Sequence, residues 1–324
     1  MTSRQKVTDF FSREEIQQLT RRSDAAGWWA VLSTWAVIAA TFAVLAIWPN
    51  PLTFVLALIV LGGRQLCLAI LMHEAAHGTL FKTKALNDKL TDWLCARIVW
   101  VDVARYREHH LRHHGHTGTD LDPDWSLARP FPASRVSLAR KFARDLLGFS
   151  GLKRLYGQLL MDIGVLKYTV ASDVEVLPRN GRRWSDYARA GLRNMRGMLL
   201  SNAALAGILA ACGQLWLYGV WLLAYLTTYS LFMRIRSLAE HACTERTRDM
   251  LLNTRTTRAG WLARATVAPI RVNFHIEHHL MAAVPYFRLP RAHRLLRERG
   301  LIDNPPGYLD VLRIVTQAPR PAMP

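Results

Sequence analysis

The sequence feature that most constrains the fold is a run of 21 residues without a charged side chain, WWAVLSTWAVIAATFAVLAIW, at residues 28–48. An α-helix rises about 1.5 Å per residue, so this run matches a hydrocarbon core roughly 30 Å thick. The Trp-Pro-Asn-Pro sequence at 48–51 cannot continue a helix cleanly, and a second apolar stretch follows at 52–72. The N-terminal part of the chain therefore predicts a transmembrane hairpin.

A second apolar block extends over residues 198–233 and contains 36 residues without a charge. This length is too great for one ordinary span and slightly short for two. The Cys-Gly-Gln sequence at 212–214 offers a turn between two helices. We therefore expect a second hairpin and an all-α integral membrane protein with four transmembrane helices in two hairpins.

The distribution of charge predicts the orientation of these helices. The formal net charge is +18, and the two turns at 49–51 and 213–214 contain no Lys or Arg. By the positive-inside rule, both termini are cytosolic and the basic surface faces anionic membrane lipid. A composition of 51% hydrophobic and 20% charged residues excludes a disordered chain. No nucleic-acid motif accompanies the basic charge, so no nucleic-acid partner is expected.

The predicted organisation is a single membrane domain over residues 1–324, in which a cytosolic helical cap carries the histidine clusters described next. Its parts are a first hairpin (28–48 and 52–72), a cytosolic region (73–195), a second hairpin (196–240) and a second cytosolic region (241–324). Residues 86–105 are expected to form a helix in the membrane interface, and the tail 318–324 is expected to be disordered.

Ten of the twelve histidines fall in three short clusters. The clusters are His73 and His77; His109, His110, His113, His114 and His116; and His275, His278 and His279. Histidines three or four residues apart share a helix face and can meet one metal ion, whereas adjacent ones diverge by about 100°. The second and third clusters can therefore each reach two metals. The two-hairpin topology places all three clusters on one side of the membrane, where they can converge.

His241 follows the last predicted span by one turn and adds a ninth candidate ligand. The candidate metal ligands are His73, His77, His110, His113, His114, His241, His275, His278 and His279. Nine ligands suit two metals, with four or five each and open positions for an exogenous ligand. His109, His116 and His293 are expected to be surface or supporting groups.

Three alternatives remain open on the residues alone. Residues 73–77 read HEAAH, the pattern in which a Glu serves as the base of a zinc protease, so Glu74 would be that base. Such a protease needs only one further metal ligand, so this interpretation leaves the remaining histidines without a role. The other two alternatives are a metal sensor without catalysis and solvated histidines on basic helices.

Taken together, the three clusters resemble the boxes of the membrane fatty acyl desaturase family, H-x(3 or 4)-H followed by two copies of H-x(2 or 3)-H-H. Further similarity lies in HEAAHGTLF at 73–81, HHGHTGTDLDPD at 113–124 and VPYFRLPRAH at 284–293. Met281 and Ala282 stand where many members have Phe-Pro. The resemblance covers nearly the whole chain, and the family also includes acyl hydroxylases and carotenoid hydroxylases and ketolases.

The resemblance implies two non-haem iron ions (Fe2+/Fe3+) held by histidine, with O2 as co-substrate and a fatty acyl chain on a lipid or an acyl carrier as substrate. The expected reaction is desaturation, and hydroxylation or ketolation by the same ligands is the alternative. The sequence shows no haem-binding cytochrome segment, so the electron donor is expected to be a separate ferredoxin-like or cytochrome carrier with its reductase, and the basic face could dock an acidic one.

Several acidic residues next to the clusters could orient ligating imidazoles through the second ring nitrogen. They are Glu74, Glu108, Glu240, Glu277, Asp120, Asp122 and Asp124. Salt bridges with neighbouring arginines are the competing role for each of them.

Overall fold

The computed structural model describes residues 6–317, so the predicted disordered tail 318–324 lies outside the described residues. The helices in this range are α1 (Arg13–Leu19), α2 (Asp24–Ile47), α3 (Pro51–Ala76), α4 (Val103–His116), α5 (Trp125–Ala128), α6 (Arg135–Leu146), α7 (Phe149–Asp162), α8 (Trp184–Ala211), α9 (Trp216–Leu226), α10 (Thr228–His241), α11 (Trp261–Ala265), α12 (His275–Leu280), α13 (Leu289–Glu298) and α14 (Tyr308–Ile314). The described residues form two isolated β-bridges and no strand. The all-helical prediction is confirmed.

The first predicted hairpin is formed by α2 and α3. The Asn50 side chain accepts hydrogen bonds from the backbone N–H groups of Leu52 and Thr53, and Pro51 occupies the first turn of α3. An Asn cap followed by Pro is a strong helix start, which is why the chain reverses where the sequence predicted. Both helices are long and apolar enough to cross a membrane. Helix α2 begins four residues before the predicted 28–48 and ends at Ile47, whereas α3 extends beyond 52–72 at both ends and continues into the first histidine cluster.

The outward face of this hairpin consists of exposed apolar side chains, including Trp29, Ile47 and Leu52. The inward face packs Ile38 of α2 and Leu61 and Leu68 of α3 into the main core. A contiguous exposed apolar surface of this kind is typical of a protein that contacts lipid.

The second hairpin consists of α8, α9 and α10. Its turn lies where the sequence placed it, because α8 ends at Ala211 and Gly213 adopts a positive φ of 70°. The second arm is broken at Thr227, whose φ of −108° and ψ of −88° separate α9 from α10. Among residues 6–317 only α2 and α3 meet the length and apolarity of a span, so the four-span topology stays a prediction.

The segment 86–105, expected to be one interfacial helix, is continuously helical only as far as Val99, and its position in a membrane interface stays a prediction. It consists of two π-helical turns (Leu86–Leu90 and Asp92–Ala96) and a 3-10 turn, and the chain then reverses at Trp100, which has a φ of 64°. Arg97 forms ion pairs with Asp92, at 2.8 Å, and with Asp102. These two contacts join both sides of the bend, beyond which α4 packs against α3.

The helix α3 lies at the centre of the molecule and contacts α2, α4, α9 and α10. Its last two turns are fully buried. The short helix α12 is also buried along most of its length and contacts α13. This arrangement brings the ends of α3 and α10, the middle of α4 and the whole of α12 to one place.

Candidate metal centre

All nine histidines that the sequence singled out meet at one buried site. They come from the end of α3, from α4, from the end of α10 and from α12. Their rings form two adjoining groups, each of which brings together side chains distant in sequence.

The first group, called here the five-histidine cluster, consists of His73, His77, His110, His114 and His278. The Nε2 atom of His278 lies 2.9 Å from Nε2 of His73 and 3.1 Å from Nε2 of His114. The Nε2 atoms of His114 and His110 are 3.0 Å apart. The ring centroid of His77 lies 4.7 Å from that of His114 and 4.9 Å from that of His110. The cluster thus combines side chains from α3, α4 and α12.

The second group, called here the four-histidine cluster, consists of His113, His241, His275 and His279. Its closest contact joins the Nε2 atoms of His275 and His241 at 2.9 Å. The ring centroid of His241 lies 4.8 Å from that of His113 and 5.2 Å from that of His279. A ligand atom from each of His113, His241 and His279 can lie within 4.8 Å of the others, so these three could hold one ion.

Histidines that are adjacent in the sequence belong to different clusters. His114 and His278 belong to the five-histidine cluster, whereas their neighbours His113 and His279 belong to the four-histidine cluster. The rings of His278 and His279 are nearly perpendicular, at 84°, with centroids 5.8 Å apart. This is the divergence that about 100° per residue imposes on a helix, and it allows one short helix to serve two sites.

Hydrogen bonds among the rings cannot account for this convergence. A neutral imidazole nitrogen carries either one N–H or one lone pair. Nε2 of His278 therefore cannot satisfy both His73 and His114 by hydrogen bonding. In addition, the buried Nε2 atoms of His77 and His279 have no hydrogen-bond partner. One cation in each cluster would give these nitrogens a partner.

The spacing of the nitrogens is short enough for neighbouring rings to share an ion. Two imidazole nitrogens that bind one ion at roughly 2.1 Å lie about 3.0 to 3.4 Å apart. The four Nε2 pairs of the two clusters measure 2.9, 3.0, 3.1 and 2.9 Å.

The protonation state of the rings suits metal binding. Burial and the charge of Arg107 lower the pKa of His77 to about 4. Burial, reinforced by neighbouring histidines, also lowers the pKa values of His110, His114 and His279 well below the usual value for histidine. These rings are therefore neutral at physiological pH and each keeps one lone pair for a ligand bond.

Partners on the outer ring nitrogens direct those lone pairs inward. Nδ1 of His113 donates to a carboxylate oxygen of Asp122 at 2.7 Å, because a carboxylate can only accept. Thr117 donates its hydroxyl to the backbone of His113, so its oxygen is left to accept from Nδ1 of His279 at 3.4 Å. In both cases Nε2 is the free nitrogen and faces the cluster.

The four-histidine cluster also contains carboxylate partners. Burial alone would lower the pKa of His113, but its hydrogen bond to Asp122 and the charges of Asp124 and Asp122 raise it above its usual value. Oε1 of Glu240 lies 3.6 Å from Nδ1 of His275 and is held at 2.7 Å by Arg236. Glu240, His241 and His275 together form another set that could hold a metal.

The other acidic candidates have different roles. Asp124 bonds to His109 at 2.7 Å, and Glu277 bonds to His293 at 2.6 Å, so these two carboxylates position histidines outside the clusters. Glu108 is exposed and His116 is half-buried. Asp120 is exposed and forms an ion pair with Arg246, which is the competing role that the sequence left open for it.

Glu74 is occupied by structural hydrogen bonds. Its Oε2 accepts from the hydroxyl of Thr79 at 2.9 Å and from the backbone N–H of Tyr286 at 3.1 Å. The side chain thereby joins the end of α3 to the segment before α13. A carboxylate held in this way is poorly placed to act as the base of a zinc protease.

Tyr106 is a functional candidate that the sequence analysis missed. Its hydroxyl lies 3.0 Å from Nδ1 of His73, and its ring stacks on that of His110 with centroids 5.0 Å apart. Tyr106 precedes His110 by four residues on α4, so its position on the same helix face was the available signal.

A cavity of about 750 Å³ reaches both clusters. Its inner end is lined by His110 of the five-histidine cluster and by His113, His241 and His275 of the four-histidine cluster. Apolar side chains of α3, α9 and α10, among them Leu66, Met72, Tyr225 and Met233, line its wall. This size and lining are typical of a small-molecule site.

Comparison with known proteins gives a consistent result. A family model described as fatty acid desaturase matches residues 49–306, which include all nine histidines. A dihydrorhizobitoxine desaturase from Bradyrhizobium elkanii is 28% identical over 314 residues, covering 93% of this chain and 82% of that protein.

Two ketolases are also similar. A zeaxanthin 4-ketolase from Chlamydomonas reinhardtii is 24% identical over 271 residues, covering 83% of this chain and 47% of that protein. A beta-carotene ketolase from Paracoccus sp. (strain PC1) is 34% identical over 106 residues, covering 31% of this chain and 43% of that protein.

Proposed function

The chain belongs to the fatty acid desaturase family, and on that premise we propose that it is a membrane diiron desaturase of fatty acyl chains. The observation that carries the proposal is the pair of adjoining histidine clusters at the inner end of one mostly apolar cavity. Family membership supports an oxidoreductase and argues against the protease and sensor alternatives.

We assign one iron to the five-histidine cluster and one to the four-histidine cluster. When bound, two reduced irons supply the activation of O2 that removal of hydrogen from an unactivated methylene requires. Overall, a CH2–CH2 unit becomes CH=CH, while O2, two electrons and two protons from a donor give two molecules of water with the two hydrogens removed.

The protein contributes position and exclusion of water. The cavity holds an extended apolar chain beside the histidines that line its inner end, and the apolar walls keep bulk water away from the reacting carbons. Tyr106 and Asp122 hold the rings of His73 and His113 in fixed orientations, so the two metal positions are set before substrate binds.

The membrane arrangement is part of the same proposal. Two hairpins place the four helices in the membrane, with both termini and the metal centre on the cytosolic side. A separate ferredoxin-like or cytochrome donor, with its reductase, delivers electrons there, and an acidic donor would complement the net charge of +18.

A carotenoid ketolase or hydroxylase is the second candidate, because two ketolases are among the relatives. Both reactions use the same ligands, but ketolation introduces oxygen into the product whereas desaturation only removes hydrogen. The shape of the cavity around the substrate, and not the metal ligands, decides between them.

Product analysis distinguishes the two reactions. The full chain is expressed with an electron-donor system in a host that lacks both activities, and lipids and carotenoids are profiled by mass spectrometry. We expect acyl products that have lost two hydrogens and none in the matched His278→Ala variant. Oxygenated carotenoids without altered acyl chains would overturn the desaturase assignment in favour of the ketolase.

A further inference from the structure

The outer part of the cavity is strongly basic. Lys141 and Arg144 of α6 and Lys153 and Arg154 of α7 line the same cavity as the buried histidines. Arg144 and Lys153 are exposed. The apolar interior of the cavity thus opens to the surface between two helices that carry four positive charges.

These four cations have no carboxylate partner among residues 6–317. The acidic groups near the cavity are already engaged: Asp145 with Arg234, Glu240 with Arg236 and Asp124 with His109. Burial and the charges of Arg234 and Arg144 lower the pKa of Lys141 more than the charge of Asp145 raises it, so positive charge exceeds negative charge around this side chain. A cluster of like charges without counter-charges costs free energy unless an anion binds there.

Arg154 shows that the basic end is built into the fold. Its two terminal nitrogens donate to the hydroxyl of Ser230 and the backbone carbonyl of Tyr225, both at 3.0 Å, and its guanidinium lies over the ring of Tyr229. Its Nε, by contrast, is buried without any hydrogen-bond partner. The side chain is therefore fixed in place on the wall of the cavity.

We propose that this basic end binds the anionic head group of the substrate, a phosphate ester or a carboxylate, while the attached apolar chain extends inward to the histidine clusters. The proposal rests on the proposed function, because it names the class of molecule that the same cavity takes: a single-chain anionic amphiphile. A neutral carotenoid has no group that would balance the four cations, so the basic end favours an acyl substrate.

The test compares amphiphiles that share one chain and differ in the head group. The iron-loaded full chain is placed in nanodiscs of zwitterionic lipid, and binding of radiolabelled hexadecyl phosphate, hexadecanoate and hexadecanol is measured against empty discs. The variant Arg144→Gln/Lys153→Gln removes two exposed cations of the cavity. The matched control Arg135→Gln/Arg140→Gln removes two exposed cations of α6 that do not line it.

We expect the anionic probes to bind more tightly than hexadecanol. The cavity variant should weaken them about five- to tenfold, because each exposed charge pair contributes up to about 1 kcal/mol. The control should change binding less than about twofold, and hexadecanol should be insensitive to either variant, as a neutral head group predicts. A preference between the two anions identifies the head group as phosphate or carboxylate.

Equal binding of hexadecanol and the anions, or equal losses in the two variants, would overturn the head-group site. Turnover is scored separately by product mass. Head-group-dependent binding without desaturated product would contradict the proposed function but support the head-group site. Desaturation without head-group-dependent binding would support the proposed function but contradict the head-group site.

Discussion

The two histidine clusters use one kind of ligand but differ in what surrounds it. In the five-histidine cluster, the outer nitrogen of His73 meets the neutral hydroxyl of Tyr106. In the four-histidine cluster, His113 meets the carboxylate of Asp122 and His275 lies 3.6 Å from Glu240. A carboxylate increases the basicity of an imidazole more than a phenol does. The two metal positions are therefore expected to be electronically unequal.

The clusters also differ in their exposure to the cavity. Three of the four rings in the four-histidine cluster line the cavity, against one ring of the five-histidine cluster. The four-histidine cluster, with fewer protein ligands, is thus the one that keeps more room on the substrate side. Identical residue types can give unequal sites when the partners around them differ.

The largest expected effect comes from two single variants at adjacent residues, each of which removes one metal ligand from a different cluster. His278→Ala and His279→Ala should each reduce turnover more than about a hundredfold, because a lost ligand disturbs the metal directly. Each variant should still bind iron at the other cluster, so metal analysis should fall from two irons toward one per chain. Loss of both irons in either variant would contradict the assignment of one iron to each cluster.

A smaller effect is expected from the carboxylate that distinguishes the four-histidine cluster. Asp122→Asn keeps the shape of the side chain but removes its charge, and should reduce metal affinity about 10- to 100-fold. Asp120→Asn is the matched control, since Asp120 is exposed and pairs with Arg246. Iron retention during titration with a chelator measures the difference, and equal retention in the two variants would refute the role of Asp122.

The phenol of the five-histidine cluster should matter less. Tyr106→Phe keeps the stacking on His110 and removes only the hydroxyl partner of His73, a neutral hydrogen bond that typically contributes about 1 kcal/mol. We expect a loss of turnover of about fivefold, with iron content unchanged. A loss of iron affinity as large as that of Asp122→Asn would contradict the electronic difference between the two clusters.

The smallest effect is expected at Thr117, whose hydroxyl lies 3.4 Å from Nδ1 of His279. Thr117→Val should change turnover by about twofold, since a long hydrogen bond between neutral groups is weak. Thr117→Ser keeps the hydroxyl and should behave as the parent protein in the same assay. If Thr117→Val lost iron, the ring of His279 would depend on this contact more than its length implies.

The parts of the structure that the sequence predicted are those set by local rules. Pro51 and Asn50 require a helix start at the first turn, and Gly213 allows the second turn. Helical spacing alone predicts that His113 and His114, and likewise His278 and His279, diverge. The convergence of the clusters followed from placing all of them on one side of two hairpins.

The parts that escaped prediction depend on contacts between distant segments. Trp100 adopts a left-handed conformation at a bend that Arg97 bridges through ion pairs with Asp92 and Asp102. Glu74 accepts a hydrogen bond from the backbone N–H of Tyr286, which is 212 residues away. This contact competes with the role of catalytic base that the HEAAH motif suggested. No periodicity in the sequence encodes such pairs. The break at Thr227 coincides with the less apolar Thr-Thr-Tyr-Ser sequence at 227–230, a signal that the sequence analysis did not use.

The helix α3 has a consequence for the evolution of this chain. One uninterrupted helix carries the apolar stretch from Pro51 and ends in His73 and the turn that bears His77. Inserting or deleting a single residue near Val60 would rotate both imidazoles by about 100° and shift them by about 1.5 Å. Side chains along the outer face of α3 are free to vary among related chains, but the number of residues between Asn50 and His73 should be held constant.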